Sequence, residues 1–270
     1  MTLDFTYNKY RKLLDTIVQS EYKILAMSEY FKLVDRKNTI EKFVILRHDV
    51  DKNPKKSLEF AEIEHQRGIR ATYYFRTTKQ VLQPRIIKRI SALGHEIGYH
   101  YETLDKAKGD YEKAIELFEQ ELKNLRSITP IQTICMHGNS WTKWDNRDIW
   151  KYYDFKNFDI FGEAYLSMDF SDIAYYTDTG RCWNAAKYSI KDYATGASTK
   201  NKPVIDTTDE LIGLIQSQTI PRLYIQTHPN RWSNSFGEWV FKLGRDSMFN
   251  LGKVIIKLLR RKSKASVSVV

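Results

Sequence analysis

Short apolar runs that end in acidic or imidazole side chains alternate along this chain with amphipathic helical stretches, and the links between them are short. Residues Phe43 to Arg47, 71–76, 95–99, 131–136 and 222–227 read as strands, and 54–67, 84–93, 110–126 and 208–217 as helices. Pro54 opens one helix and Gly68 stops it, while Pro84 and Gly94 bracket the next. An opening helical segment places Leu13, Leu14, Ile17 and Val18 on one face. Strand and helix in regular alternation imply right-handed crossovers, so the expected fold is α/β with a parallel sheet or barrel. The stretch 140–205 is less regular and rich in aromatic residues, with short strand-like pieces. No repeat or Pro/Gly/Ser-rich linker interrupts the chain, which predicts one domain over 1–270 with its core at about 43–230.

With 270 residues, the chain is long enough to bury a substantial core. Its two cysteines, Cys135 and Cys182, build neither a disulfide framework nor a CxxC motif, which points to a reducing compartment. The start, MTLDFTYNKYRKLL, has acids and tyrosines where a secretory signal needs a basic and then an apolar stretch, and no apolar run nears the about 18 residues of a membrane span. A cytoplasmic location is the expectation. Net charge is +10, but residues Lys242 to Val270 hold eight Lys/Arg against one acid, Asp246. That segment carries +7 and the other 241 residues only +3, so a basic nucleic-acid-binding surface is not expected.

In parallel α/β folds, functional groups collect at the carboxyl ends of the strands. Here those ends carry HDVD, His100, His137 and His228. Asp49 and Asp51 are two residues apart, so in extended chain both point to one face, where their repulsion calls for a cation or a shared proton. Asp51 and His100 with a third ligand would form an open N/O metal site that keeps a position for an activated water. Asp49 would then be free to act as a base. An aspartate at a strand end also caps helices, but three of six histidines at strand ends together with the Asp pair favour a site. His65 lies within a helix and reads as a surface or packing residue, while His48 and His95 alternate away from the site and are expected to pack behind it.

RHDVD (Arg47 to Asp51), ATYYF (Ala71 to Phe75), GHEIGYH (Gly94 to His100) and YIQTHP (Tyr224 to Pro229) resemble the successive motifs of the polysaccharide deacetylases of carbohydrate esterase family four. The resemblance spans about residues 43–230. It implies a distorted (β/α) barrel, here with extra N- and C-terminal helices, a single divalent metal, and hydrolytic removal of an acyl group from an amino sugar. It makes Asp49 the catalytic base, Asp51 and His100 metal ligands, and His228 the catalytic acid. Zinc follows from the family and the N/O donors; cobalt, nickel or manganese would fit similar geometry. The family's second metal histidine lies four residues after the first, where this chain has Leu104. His137 or Glu102 is then the third ligand. The family's third motif also supplies an arginine near the base, and the segment around His137 has none, which leaves Arg147 or Arg181 to substitute.

WTKWDNRDIW (Trp141 to Trp150) and TDTGRCW (Thr177 to Trp183) mix aromatic and polar side chains suited to sugar rings and hydroxyls, with Trp141, Arg147, Arg181 and Trp183 as substrate-binding candidates. Trp141, Trp144 and Trp150 would equally fill a barrel rim. Leu251, Val254, Ile255, Leu258 and Leu259 oppose Lys253, Lys257, Arg260 and Arg261 in a basic amphipathic pattern, which either packs on the barrel or lies on an anionic membrane surface at the inner face. The expected function is an N-deacetylase of a nucleotide-linked, lipid-linked or oligosaccharide amino sugar in glycan biosynthesis. Two alternatives are hydrolysis of a cyclic amide or imide on the same fold and a catalytically silent carbohydrate-binding protein.

Overall fold

The computed structural model describes residues 3–38, 40–139, 141–184, 203–248 and 250. Eight strands form one sheet, and every ladder in it is parallel. They are β1 (Lys23–Leu25), β2 (Phe43–Val50), β3 (Thr72–Phe75), β4 (Glu96–Tyr101), β5 (Thr133–Met136), β6 (Gly162–Glu163), β7 (Ala174–Thr177) and β8 (Arg222–Thr227). Their order is β6-β5-β4-β3-β2-β8-β7, with β1 paired to the first half of β2. The helices are α1 (Tyr7–Val18), α2 (Met27–Asp35), α3 (Pro54–His65), α4 (Pro84–Ala92), α5 (Thr103–Lys106), α6 (Tyr111–Arg126), α7 (Thr208–Ser217) and α8 (236–248). No ladder joins β6 to β7 among the described residues, so the barrel is open there. Side chains span the gap, where the Tyr165 and Tyr175 hydroxyls lie 3.4 Å apart.

The expected parallel α/β barrel is what forms. The strands at 43, 72, 96 and 133 and the helices between them fall within a few residues of the sequence reading, and α7 and β8 match it. β1 is not expected from the sequence, while β6 and β7 are among the short strand-like pieces expected without bounds in 140–205. All three are two to four residues long and carry too little alternation to stand out. β2 and β4 also run further than expected, so Asp49 and His100 lie inside strands. The amphipathic segment at 251–259 lies outside the described residues. No helix among those described is long and apolar enough to cross a membrane.

The central strands are buried on both faces, and their period of two sorts side chains between two different environments. The outward face meets the helices. There His48, Tyr73 and His95 surround the buried Glu64 of α3, whose carboxylate accepts from the hydroxyls of Tyr10 and, at 2.6 Å, Tyr73, and lies 2.7 Å from His48 Nε2. The inward face is polar. At its base Glu96 accepts from Ser28 N–H and from the Thr72 and Thr133 hydroxyls.

Gly98 decides how the middle of the barrel fills. A Cβ there would lie 2.2 Å from Cε1 of Tyr74 and 3.1 Å from the carbonyl of Thr133, so the Tyr74 ring occupies the volume a side chain would need. Gly98→Ala is expected to lower stability by about 1–3 kcal/mol through this overpacking. A fall in the urea midpoint at unchanged m-value would show it.

Candidate active site

The upper end of the barrel interior is assembled from the last inward residues of adjacent strands. β2 contributes Arg47 and Asp49, with Asp51 just beyond; β4 contributes His100; His137 follows β5, Asp178 follows β7, and β8 supplies Gln226 with His228 after it. Alternation brings these groups to one face, since each pair within a strand is two residues apart.

Arg47 is fully buried and grips both oxygens of Asp49, Nε to Oδ1 at 2.7 Å and Nη2 to Oδ2 at 2.6 Å. Its remaining donors reach the hydroxyls of Tyr224 and Tyr165, each at 3.1 Å. Gln226 Nε2 donates to Asp49 Oδ2 at 2.7 Å, while its Oε1 accepts from Tyr175 and Thr177, which fixes the amide orientation. Burial works to raise the Asp49 carboxyl, but Arg47 and the nearby His100 and His228 outweigh it and hold the group below the usual carboxylate range.

Asp51 sits where three imidazoles converge. His100 Nε2 lies 3.4 Å and His137 Nε2 3.6 Å from its Oδ1, and His228 Nε2 lies 3.7 Å from its Oδ2. The far nitrogens of His100 and His228 are hydrogen-bonded, and that of His137 faces a carboxylate. His100 Nδ1 donates to the Cys135 carbonyl at 3.0 Å, His137 Nδ1 lies 3.0 Å from Glu102 Oε2, and His228 Nδ1 is 2.6 Å from Asp178 Oδ1. The Cys135 carbonyl and the Asp178 carboxylate fix the rings of His100 and His228, and all three Nε2 atoms face Asp51, with Gln226 Nε2 also 3.3 Å from His228 Nε2.

Asp51, His100 and His137 fit a divalent cation. Their donor atoms all lie within 4.8 Å of one another, and Asp51 Oδ1 is buried with no hydrogen-bond partner. Separations of 3.4 and 3.6 Å are close to what ligands about 2.0–2.1 Å from one ion impose. A deeper set, Asp49, His100 and Cys135, also has its donor atoms within 4.8 Å of one another, but Arg47 and Gln226 already engage Asp49.

The structure separates the sequence candidates. His137 faces Asp51, whereas Glu102 is turned to Arg76, with Nη2 to Oε2 at 2.7 Å. Burial opposes ionisation of Glu102, yet His137 and Arg76 bring its pKa down to about 2. Leu104 is fully buried on α5. Trp141 is exposed, as a stacking residue must be.

Three expectations are corrected. Trp183 is buried against Phe5 and Trp232 and donates Nε1–H to Thr208, so it offers no face to a sugar. Arg181 donates to the carbonyls of Arg231 and Asp4 and anchors the N-terminal segment rather than the base. Arg147 pairs with Asp145 and lies 5.6 Å from the Tyr165 ring. The arginine on Asp49 is Arg47, within the RHDVD run itself. Asp178 and Gln226 were not assigned from sequence, although TDTGRCW and YIQTHP contain them. Asp178 also accepts from the His228 backbone and from Trp232 Nε1, so its position is fixed by three donors.

No family model and no curated protein matches the chain. Among solved structures, the chain is similar to a CE4 family pseudoenzyme from Bacillus anthracis, at 15% identity and a TM-score of 0.42 over 76% of this chain. The match spans 61% of that protein's length. A CE4 esterase from Streptococcus mutans aligns over 90% of this chain and 91% of its own at 12% identity and a TM-score of 0.45. The peptidoglycan deacetylase PdaC from Bacillus subtilis aligns over 82% and 97%, at 13% identity and a TM-score of 0.37. At such identities, the chemistry of the site is read from its own side chains.

Proposed function

We propose that this chain is a metal-dependent hydrolase that removes an N-acyl group from an amino sugar. The observation that carries the reading is the convergence on Asp51 of three imidazole Nε2 atoms beside an ionised, clamped Asp49. Asp51, His100 and His137 would hold the cation, with zinc suited to two nitrogen donors and one oxygen. When bound, such a cation polarises an amide carbonyl and lowers the pKa of a water molecule beside it.

Asp49 takes the proton of the attacking water. Its carboxylate is fixed by Arg47 and Gln226, yet it retains acceptor capacity because an ionised carboxylate has about four lone-pair sites. His228 supplies the proton to the leaving nitrogen. Asp178 holds the Nδ1 proton, so exchange with substrate takes place at Nε2, on the Asp51 side. Water oxygen joins the acyl carbon, the C–N bond breaks, and carboxylate and free amine leave. Glu102 acts behind His137, a carboxylate–histidine arrangement that orients a ligand ring. Trp141, exposed on the loop after His137, would stack on a sugar ring.

Elemental analysis of protein purified without chelator should find about one divalent metal per chain. Asp51→Ala, His100→Ala and His137→Ala should each lose it, while Glu102→Ala should weaken affinity by about 10–100-fold. A wild-type protein that cannot be loaded with metal overturns the reading.

Acetate release from acetamido sugars should fall by about 10²-fold or more in Asp49→Asn at unchanged metal content, because the base is gone and the ligands remain. Asp178→Asn should reduce kcat by a similar factor with little change in KM. Sugar binding without turnover, indifferent to Asp49→Asn, would identify a silent binding protein.

A further inference from the structure

Five of the large apolar side chains exposed among the described residues lie on α8. Phe236, Phe241 and Met248 are 66%, 70% and 76% exposed, and Val240 and Leu243 are close to half exposed. At 100° per residue, Phe236, Gly237, Val240, Phe241, Leu243, Gly244, Ser247 and Met248 form one continuous face without a charge. The opposite side is anchored. Trp239 Nε1 donates to the Asp4 carbonyl, Lys242 donates to the Trp232 carbonyl and pairs with Glu238, and Glu238 pairs with Lys56. α8 is thus anchored on the barrel with its apolar half turned outward.

We infer that this face of α8 docks on an anionic lipid surface. Charge selects this occupant. Residues 251–270, which follow directly, contain six Lys/Arg and no acid. Anionic headgroups complement that segment, whereas a second copy docking on the same face would bring two such segments together. A helix with an uncharged Phe-bearing face and basic residues beside it is suited to the boundary of headgroups and acyl chains. The anchored side of α8 also contributes Arg245 and Asp246 to a cavity of about 300 Å³ that reaches Asp51 and is lined as well by Lys52 and Arg231. The inference is independent of the chemistry proposed at Asp49.

The test is co-sedimentation of the full chain with phosphatidylcholine vesicles, with and without phosphatidylglycerol. The wild type should bind the anionic vesicles, and a Phe236→Ser, Phe241→Ser double variant should bind them at least about tenfold more weakly, since each ring removes apolar area from the contact. Phe241→Trp should gain emission quenched by brominated acyl chains, a readout that does not depend on the double variant folding. Failure of the wild type to bind overturns the inference. So does equal binding by the double variant, which would assign adhesion to the basic segment alone, or an unquenched Trp at 241. Sedimentation equilibrium without lipid supplies the last arm, where a wild-type dimer dissociated by the double variant would make the face a contact between copies and overturn lipid docking.

Discussion

The Arg47–Asp49 pair is the interaction on which both barrel and site depend. A guanidinium with no exposure to solvent is costly to bury unless its donors are matched, and here a bidentate carboxylate and two tyrosine hydroxyls match them. Replacing such a pair with apolar groups could leave stability unchanged, so its presence points to a role beyond holding the fold. That role is visible in Asp49, which is buried and still ionised. Burial alone would push this carboxyl up, and Arg47 is the largest influence that opposes it.

The pair also dictates what surrounds it. Arg47 lies over the rings of Tyr74, Tyr165 and Tyr224, at 5.6, 4.5 and 5.9 Å. These rings come from β3, from the turn after β6 and from β8, so one cation gathers groups from both sides of the open seam. Gly98 has no side chain because Tyr74 must reach this position. On the outer face of β2, His48 is drawn to Glu64 and its Nδ1 meets the Thr227 hydroxyl at 2.6 Å, which ties β2 to β8 beside His228. The two faces of one strand therefore fix Asp49 from inside and the neighbouring strand from outside.

How much of this was legible in sequence follows from that alternation. The period of two separates Asp49 and Asp51 from His48 and His100 from His95, so the placement of the packing histidines behind the site could be read directly. Strands β2 and β8 announce themselves because burial on both faces demands long apolar runs. Arg47 was hidden by the same rule, since an arginine next to such a run reads as the strand's solvated end rather than its interior. Asp178 was hidden differently. Its strand, β7, is four residues long within an irregular aromatic stretch, and only the fold brings it 50 positions along the chain to His228. Trp183 misled because a tryptophan among polar residues looks the same whether it faces a sugar or closes a core.

Leu104 shows why spacing within one motif is a weaker constraint than geometry between strands. A ligand four residues after His100 would have to reach back from α5, where position 104 is buried. β5 runs parallel to β4 with His100 opposite Cys135, and the His137 N–H donates to the Tyr101 carbonyl at 2.8 Å. His137 therefore stands one alternation beyond Cys135, inward-facing and level with the residue just past the end of β4. From there its Nε2 reaches Asp51 without distortion of the chain. Glu102, held by Arg76, fills the space behind it and fixes the ring. Asn146 secures the loop by donating to the His137 carbonyl at 2.9 Å. The same logic places the arginine beside Asp49 on the same strand, because in a parallel barrel any inward position near the carboxyl ends can present a group to the common centre.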